Sequence, residues 1–131
     1  MAFLSLNTFR RTAPAVSPAV NENEHIGPSR QFVIAARDFD HLLLSRTQPY
    51  AFGRGRQVYG DRLGHFTGGI MVLGDLYEQL CALLASHDAV VVTARRKRIR
   101  SHGTSRHLMD LTVATEVTVA TPAQRAAVLS N

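Results

Sequence analysis

Four arginines and a lysine in six positions, Arg95, Arg96, Lys97, Arg98 and Arg100, form the densest chemical feature of the chain. Guanidinium groups at this spacing suit bidentate contacts to phosphate or carboxylate. The net charge is +5, and its layout says more than its size. From Met1 to Asp88, eight arginines meet eight acids and cancel. From Ala89 onward, seven basic residues, including Arg106 and Arg125, face only Asp110 and Glu116. The cationic excess therefore sits in the last third, a field that draws phosphate or an acidic surface. Fourteen of the fifteen basic residues are arginine, a bias that a GC-rich genome also produces, so the bias is no evidence for nucleic-acid binding.

A second pattern lies upstream. Tyr50–Gly60 alternates aromatics with arginines (Tyr50, Phe52, Arg54, Arg56, Tyr59). Aromatics can stack bases while arginines hold phosphates, although so short a pattern fits an interface loop with buried aromatics better. Gly53, Gly55 and Gly60 miss the spacing of a dinucleotide-binding fingerprint, and no phosphate loop or nucleophile elbow occurs. His65, His87, His102 and His107 fall into no metal-binding spacing, so neither a metal nor a cofactor is expected. A lone cysteine, Cys81, excludes an intramolecular disulfide framework and reads as a small core residue.

These residues need a scaffold. The 131 residues fit one domain, 45% of them are hydrophobic, and no apolar run reaches the ~18–20 residues of a membrane-spanning helix. Residues 1–29 carry three of the five prolines and no periodicity, and read as an extended Pro-rich arm. Its apolar Phe3, Leu4, Leu6 and Phe9 suit docking on a neighbouring subunit; a frayed terminus and an acid-poor mitochondrial presequence are the alternatives. Residues 30–131 form the single α+β domain.

Within that domain, Gln31–Arg37 predicts a strand, and His41–Arg46 a strand or a helical turn. Gln48–Gly64 reads as a long Gly/Arg loop around Pro49. Leu73, Leu76, Tyr77, Leu80, Leu83 and Leu84 recur at spacings of three and four, which predicts a helix over Leu73–His87 packed on a sheet. Ala89–Arg100 and His107–Ala120 predict a β-hairpin, residues 89–120, turning at Ser101–Arg106. Pairing around that turn sets Arg98 opposite Met109, Arg96 opposite Leu111 and Lys97 opposite Asp110, with the tip from Arg95 to His107 projecting as a basic arm. After Pro122 the tail can form a turn or two of helix.

Two resemblances bear on function. Gly64–Gly69 followed by a helix containing Asp75 is similar to the segment that opens the central helix of hot-dog thioesterases, which implies backbone amides polarising a thioester and an acid activating water. Most strands of those folds follow the helix, whereas here only one hairpin can. Helix, Ala89–Arg100, the turn with Thr104, Ser105, Arg106 and His107, and Leu111–Val119 together resemble the closing half of bacteriophage tail-terminator and tail-completion proteins. That resemblance implies a small ring-forming α+β protein, although such proteins open with a helix where this chain has its arm.

The expected architecture is a mixed or mainly antiparallel sheet with one main helix on a face, a long hairpin near the C-terminus and an N-terminal arm. So much connective surface around a small core suits a homo-oligomer. The leading expectation is a non-enzymatic structural and assembly protein of a virus or phage particle, located in the virion or host cytoplasm. Arg95, Arg96, Lys97, Arg98, Arg100, Arg106, Arg54 and Arg56 would contact other assembly proteins or packaged DNA or RNA. The first alternative is a free-standing nucleic-acid-binding regulator; the second is a hot-dog acyl-thioesterase.

Overall fold

The computed structural model describes residues 25–44, 48–100 and 108–130. Among them, eight strands form one mixed sheet and two helices pack on it. The strands are β1 (His25–Ala35), β2 (Phe39–Leu44), β3 (Gln48–Gly53), β4 (Arg56–Tyr59), β5 (Arg62–Gly64), β6 (Ile70–Leu73), β7 (Ala89–Arg100) and β8 (Leu108–Val119). The helices are α1 (Asp75–Leu84) and α2 (Pro122–Leu129). The order across the sheet is β2-β3-β6-β8-β7-β1-β4-β5, antiparallel throughout except for the parallel β6–β8 pair.

One single 3-10 turn, Ala36–Asp38, separates β1 from β2. The two are halves of a single bent strand: one half pairs with β7, the other with β3. The order β2-β3-β6-β8-β7-β1 thus returns on itself and wraps a common core. Phe32 and Ile34 of β1, Phe39 of β2, Ala51 of β3, Ile70 and Val72 of β6, Val90, Val92 and Ala94 of β7, and Ala114 and Val117 of β8 all meet inside. Leu80 of α1 is fully buried there, with Leu76, Tyr77, Leu83 and Leu84 packed around it. Burying a side chain of this size contributes about 1.5–3 kcal/mol.

Residues alternate between faces along a strand, so the neighbours of these positions face out. On β1 and β7 the outer set, Val33, Ala35, Ala89 and Val91, is covered by Val128 of α2 and by Val58 and Leu63 of the β4–β5 hairpin. Both faces of the Phe32–Ala35 end of β1 are therefore buried, which explains its uninterrupted apolar run. α2 starts at a reciprocal cap: Thr121 Oγ1 accepts from the Gln124 amide at 3.1 Å, and Gln124 Oε1 accepts from the Thr121 amide at 2.9 Å. Such a cap contributes about 1 kcal/mol. Arg125 then ties the helix to Asp88 at the entry to β7, Nη2 to Oδ2 at 2.7 Å, which holds the Asp88 carboxyl below the usual carboxylate range.

The structure departs from the sequence reading at four places. Gln48–Gly64 is not a loop; it holds β3, β4 and β5. Leu73 ends β6 instead of opening the helix. β1 begins at His25, inside the segment assigned to the arm; residues 1–24 lie outside the described residues. The first strand of the hairpin has its expected bounds, the second is one residue shorter at each end, and the register is shifted by one: Arg98 faces Asp110, Lys97 faces Leu111 and Arg96 faces Thr112. The projecting arm does not begin at Arg95, because β1 still flanks β7 out to Lys97. The turn expected at Ser101–Arg106 lies outside the described residues, and Arg106 with it.

Candidate nucleic-acid interface

The one-residue shift decides which cations are available. Ala94 points into the core, so Arg96 and Arg98 continue on the same side of β7, beyond the packed interior. Asp110 sits opposite Arg98 on that side. Arg98 donates from Nε to Asp110 Oδ1 at 2.9 Å, and Arg96 from Nη2 to Oδ2 at 2.9 Å. The two guanidinium groups, Arg98 first, hold the Asp110 carboxyl below the usual carboxylate range. One carboxylate thus binds both arginines within the chain. This corrects the expectation that the whole ribbon stands ready for a partner.

Arg95 and Lys97 lie on the other side, the outer face of the sheet. Here pairing register builds a lateral row. Asp40 of β2 faces Phe52 of β3, Phe52 faces Met71 of β6, Met71 lies beside Val113 of β8, and Val113 faces Arg95 of β7. At 4.7–4.9 Å per strand, these five positions span about 19 Å. Flanking rows extend the pattern. Tyr50 pairs with Leu73 on one side of it, and Leu111 pairs with Lys97 on the other.

The result is an apolar floor with a cationic margin at β7 and, at the other end, Arg54 beside Asp40. Phe52, Tyr50, Met71, Leu73 and Leu111 are half-buried, as are Arg95 and Lys97. Arg95 spends its Nε on the Gly27 carbonyl at 3.0 Å, which orients the guanidinium beside the floor. At the opposite margin, Arg54 follows β3, with its Cζ 5.1 Å from the Phe52 ring centroid and Asp40 at 4.0 Å. Gly69 gives the Phe52 ring its place: a Cβ there would lie 2.1 Å from the ring, so any side chain would push the aromatic off the floor.

The residues proposed from sequence are therefore divided. Arg95, Lys97 and Arg54 border the floor. Arg96 and Arg98 are closed on Asp110. Arg56 lies in β4, in register with Val33 of β1 and away from the floor. Of Arg100 only the backbone, in β7, is described, and Arg106 is outside the described residues. The aromatic alternation is likewise split: Tyr50, Phe52 and Arg54 share a face, while Tyr59 packs over Gly64 in the β4–β5 hairpin. Sequence reasoning missed Met71 and Val113. The signal for Met71 was present in the four-residue apolar run Ile70–Leu73 after Gly68–Gly69.

The thioesterase alternative is disfavoured by connectivity: six strands precede α1 and two follow it, the reverse of the order that reading needs. Among the described residues, no group of His, Cys, Asp and Glu could hold a metal ion, and no helix is long and apolar enough to cross a membrane.

The site belongs to a class of surface rather than to a shown family: a barrel face with an apolar floor and basic edges. No family model matches the chain, and no curated protein matches it. Among solved structures, the chain is similar to a small single-stranded DNA binding protein from Mycoplasma pneumoniae, at TM-score 0.46 and 9% identity, over 74% of this chain and 95% of that one.

Proposed function

We propose that this protein is a non-enzymatic binder of single-stranded nucleic acid, acting through the outer face of β3, β6, β8 and β7. The observation that carries this reading is the in-register row from Phe52 through Met71 and Val113 to Arg95. Its apolar floor asks for flat, weakly hydrated partners. Unpaired bases offer such faces, whereas a duplex stacks them inside and presents phosphates and base edges. The margins, Arg95 and Lys97 on one side and Arg54 on the other, are placed for the backbone of a strand lying across the floor. The connectivity supports the same reading. With β1 and β2 counted as one bent strand, β3 and β6 are the second and third strands of a five-stranded Greek-key barrel, the strands whose face takes oligonucleotides in OB-type barrels.

Fluorescence anisotropy with a labelled oligothymidylate, its RNA counterpart and a duplex of equal length tests this. Single strands should bind far more tightly than the duplex, with affinity falling as salt rises. Equal or tighter duplex binding, or no binding at low salt, would overturn it.

The homo-oligomer expected from sequence keeps one supporting observation. β2 ends the sheet and exposes Leu42 and Leu43, at 45% and 67% of their surface, beside an edge that no described strand pairs. Light scattering of the full chain tests it. A role in a virus or phage particle is implied by the resemblance alone.

A further inference from the structure

A groove of about 600 Å³ opens beside the Arg54 margin, between the β1–β2 corner, the β3–β4 connection and the β5–β6 loop. We propose that it binds the phosphodiester backbone of the strand as it leaves the barrel face, so that one chain engages more nucleotides than the floor alone accommodates. This rests on the single-strand reading above and assigns a second segment of the path.

Arg54 belongs to both places: it borders the floor over Phe52 and lines the groove. Arg56 and His65 line the groove beyond it, with Thr67 as a hydroxyl donor. The stretch from Arg54 to Arg56, at the start of β4, lies tight on β1, because Gly55 brings its backbone where a Cβ would stand 2.2 Å from the Val33 carbonyl oxygen. The loop that carries His65 and Thr67 is anchored between them by Phe66, whose ring lies 4.7 Å from that of Phe32 in the core. Alternation then leaves His65 and Thr67 exposed on either side of the anchor. Asp38 is the acid among the lining residues, against three arginines, of which Arg37 is already engaged through Nη2 with the Val128 carbonyl at 3.1 Å. The groove is therefore net cationic and continuous with the floor, and its donors come from segments pinned to the barrel. Such a surface fits a run of phosphates rather than a base.

The experiment compares oligothymidylates of about 4 and about 16 nucleotides, the range of site sizes for one barrel of this kind. The full chain and its Arg56→Gln/His65→Gln variant are titrated with each. The variant should bind the short strand as the parent does. It should lose about tenfold on the long one, the size of a charge-assisted hydrogen bond. Its salt slope on the long strand should fall by about 0.7 per phosphate contact removed, and Arg56→Lys should restore part of the loss. Equal weakening on both lengths, or on neither, overturns the groove assignment while leaving the floor intact. Failure of the parent chain to bind either strand overturns the single-strand reading, and the groove assignment with it.

Discussion

Arg96 and Arg98 lie on one side of β7, Arg95 and Lys97 on the other, and the two pairs meet different surroundings. The first pair converges on Asp110 and neutralises part of its own charge within the chain. The second borders half-buried apolar side chains, and of it only Arg95 Nε has a partner among the described residues, the Gly27 carbonyl. Formal charge counted along a sequence is thus not charge available to a ligand. Which side of the strand a residue occupies, and whether a carboxylate stands opposite, decides it.

Four measurements would break or sharpen that contrast. The largest effect is expected from Phe52→Ala, which removes one of the floor's two aromatics: single-strand affinity should fall by about 1–3 kcal/mol, the range for one stacked base, with the salt slope unchanged. Next, Arg95→Ala with Lys97→Ala should lower the salt slope by about 1.4, two contacts at 0.7 each, and weaken binding across sequences alike. Arg96→Gln with Arg98→Gln should lower affinity much less in the same titration. If the inner pair matters as much as the outer pair, the contrast is wrong.

The smallest effect concerns Asp110→Asn. It removes the carboxylate that Arg96 and Arg98 share and should modestly strengthen binding at low salt. Because the Asp110 carboxyl is held below its usual range when folded, its contribution to stability is complete above about pH 4, the unfolded value, and fades as pH falls through the lower folded value. The difference in Tm between parent and variant should therefore be flat near neutrality and vanish in strong acid. A difference that grows on acidification would contradict the pairing.

Some of this was legible in the sequence. Both strands of the hairpin were readable to within a residue, because long β-branched runs flank a short polar segment containing Gly103, and the leucine spacing located α1 to within two or three residues. The register was not, since residues near the tip are charged on both sides and period-two alternation gives no preference there. The short strands β3 to β5 were hidden for another reason. Three to six residues with interspersed glycine and arginine carry little propensity, and their pairing with β1 and β6 is visible only in three dimensions. The aromatic–arginine alternation singled out Phe52 and Arg54, which the fold places side by side at the floor. It could not reveal that Arg56, two residues on, turns into a different groove.

The bent strand that closes the barrel has a consequence for how the chain is made. Phe32 pairs with Gln57 on one side but with Val92 on the other, and Val33 likewise with Arg56 and Val91, so the apolar end of β1 stays half-paired until the later hairpin is made. Such long-range pairing is slow and leaves sticky surface exposed meanwhile. A nascent chain halted before β7 would therefore be a substrate for chaperones, and release of the C-terminal hairpin would be the event that seals it.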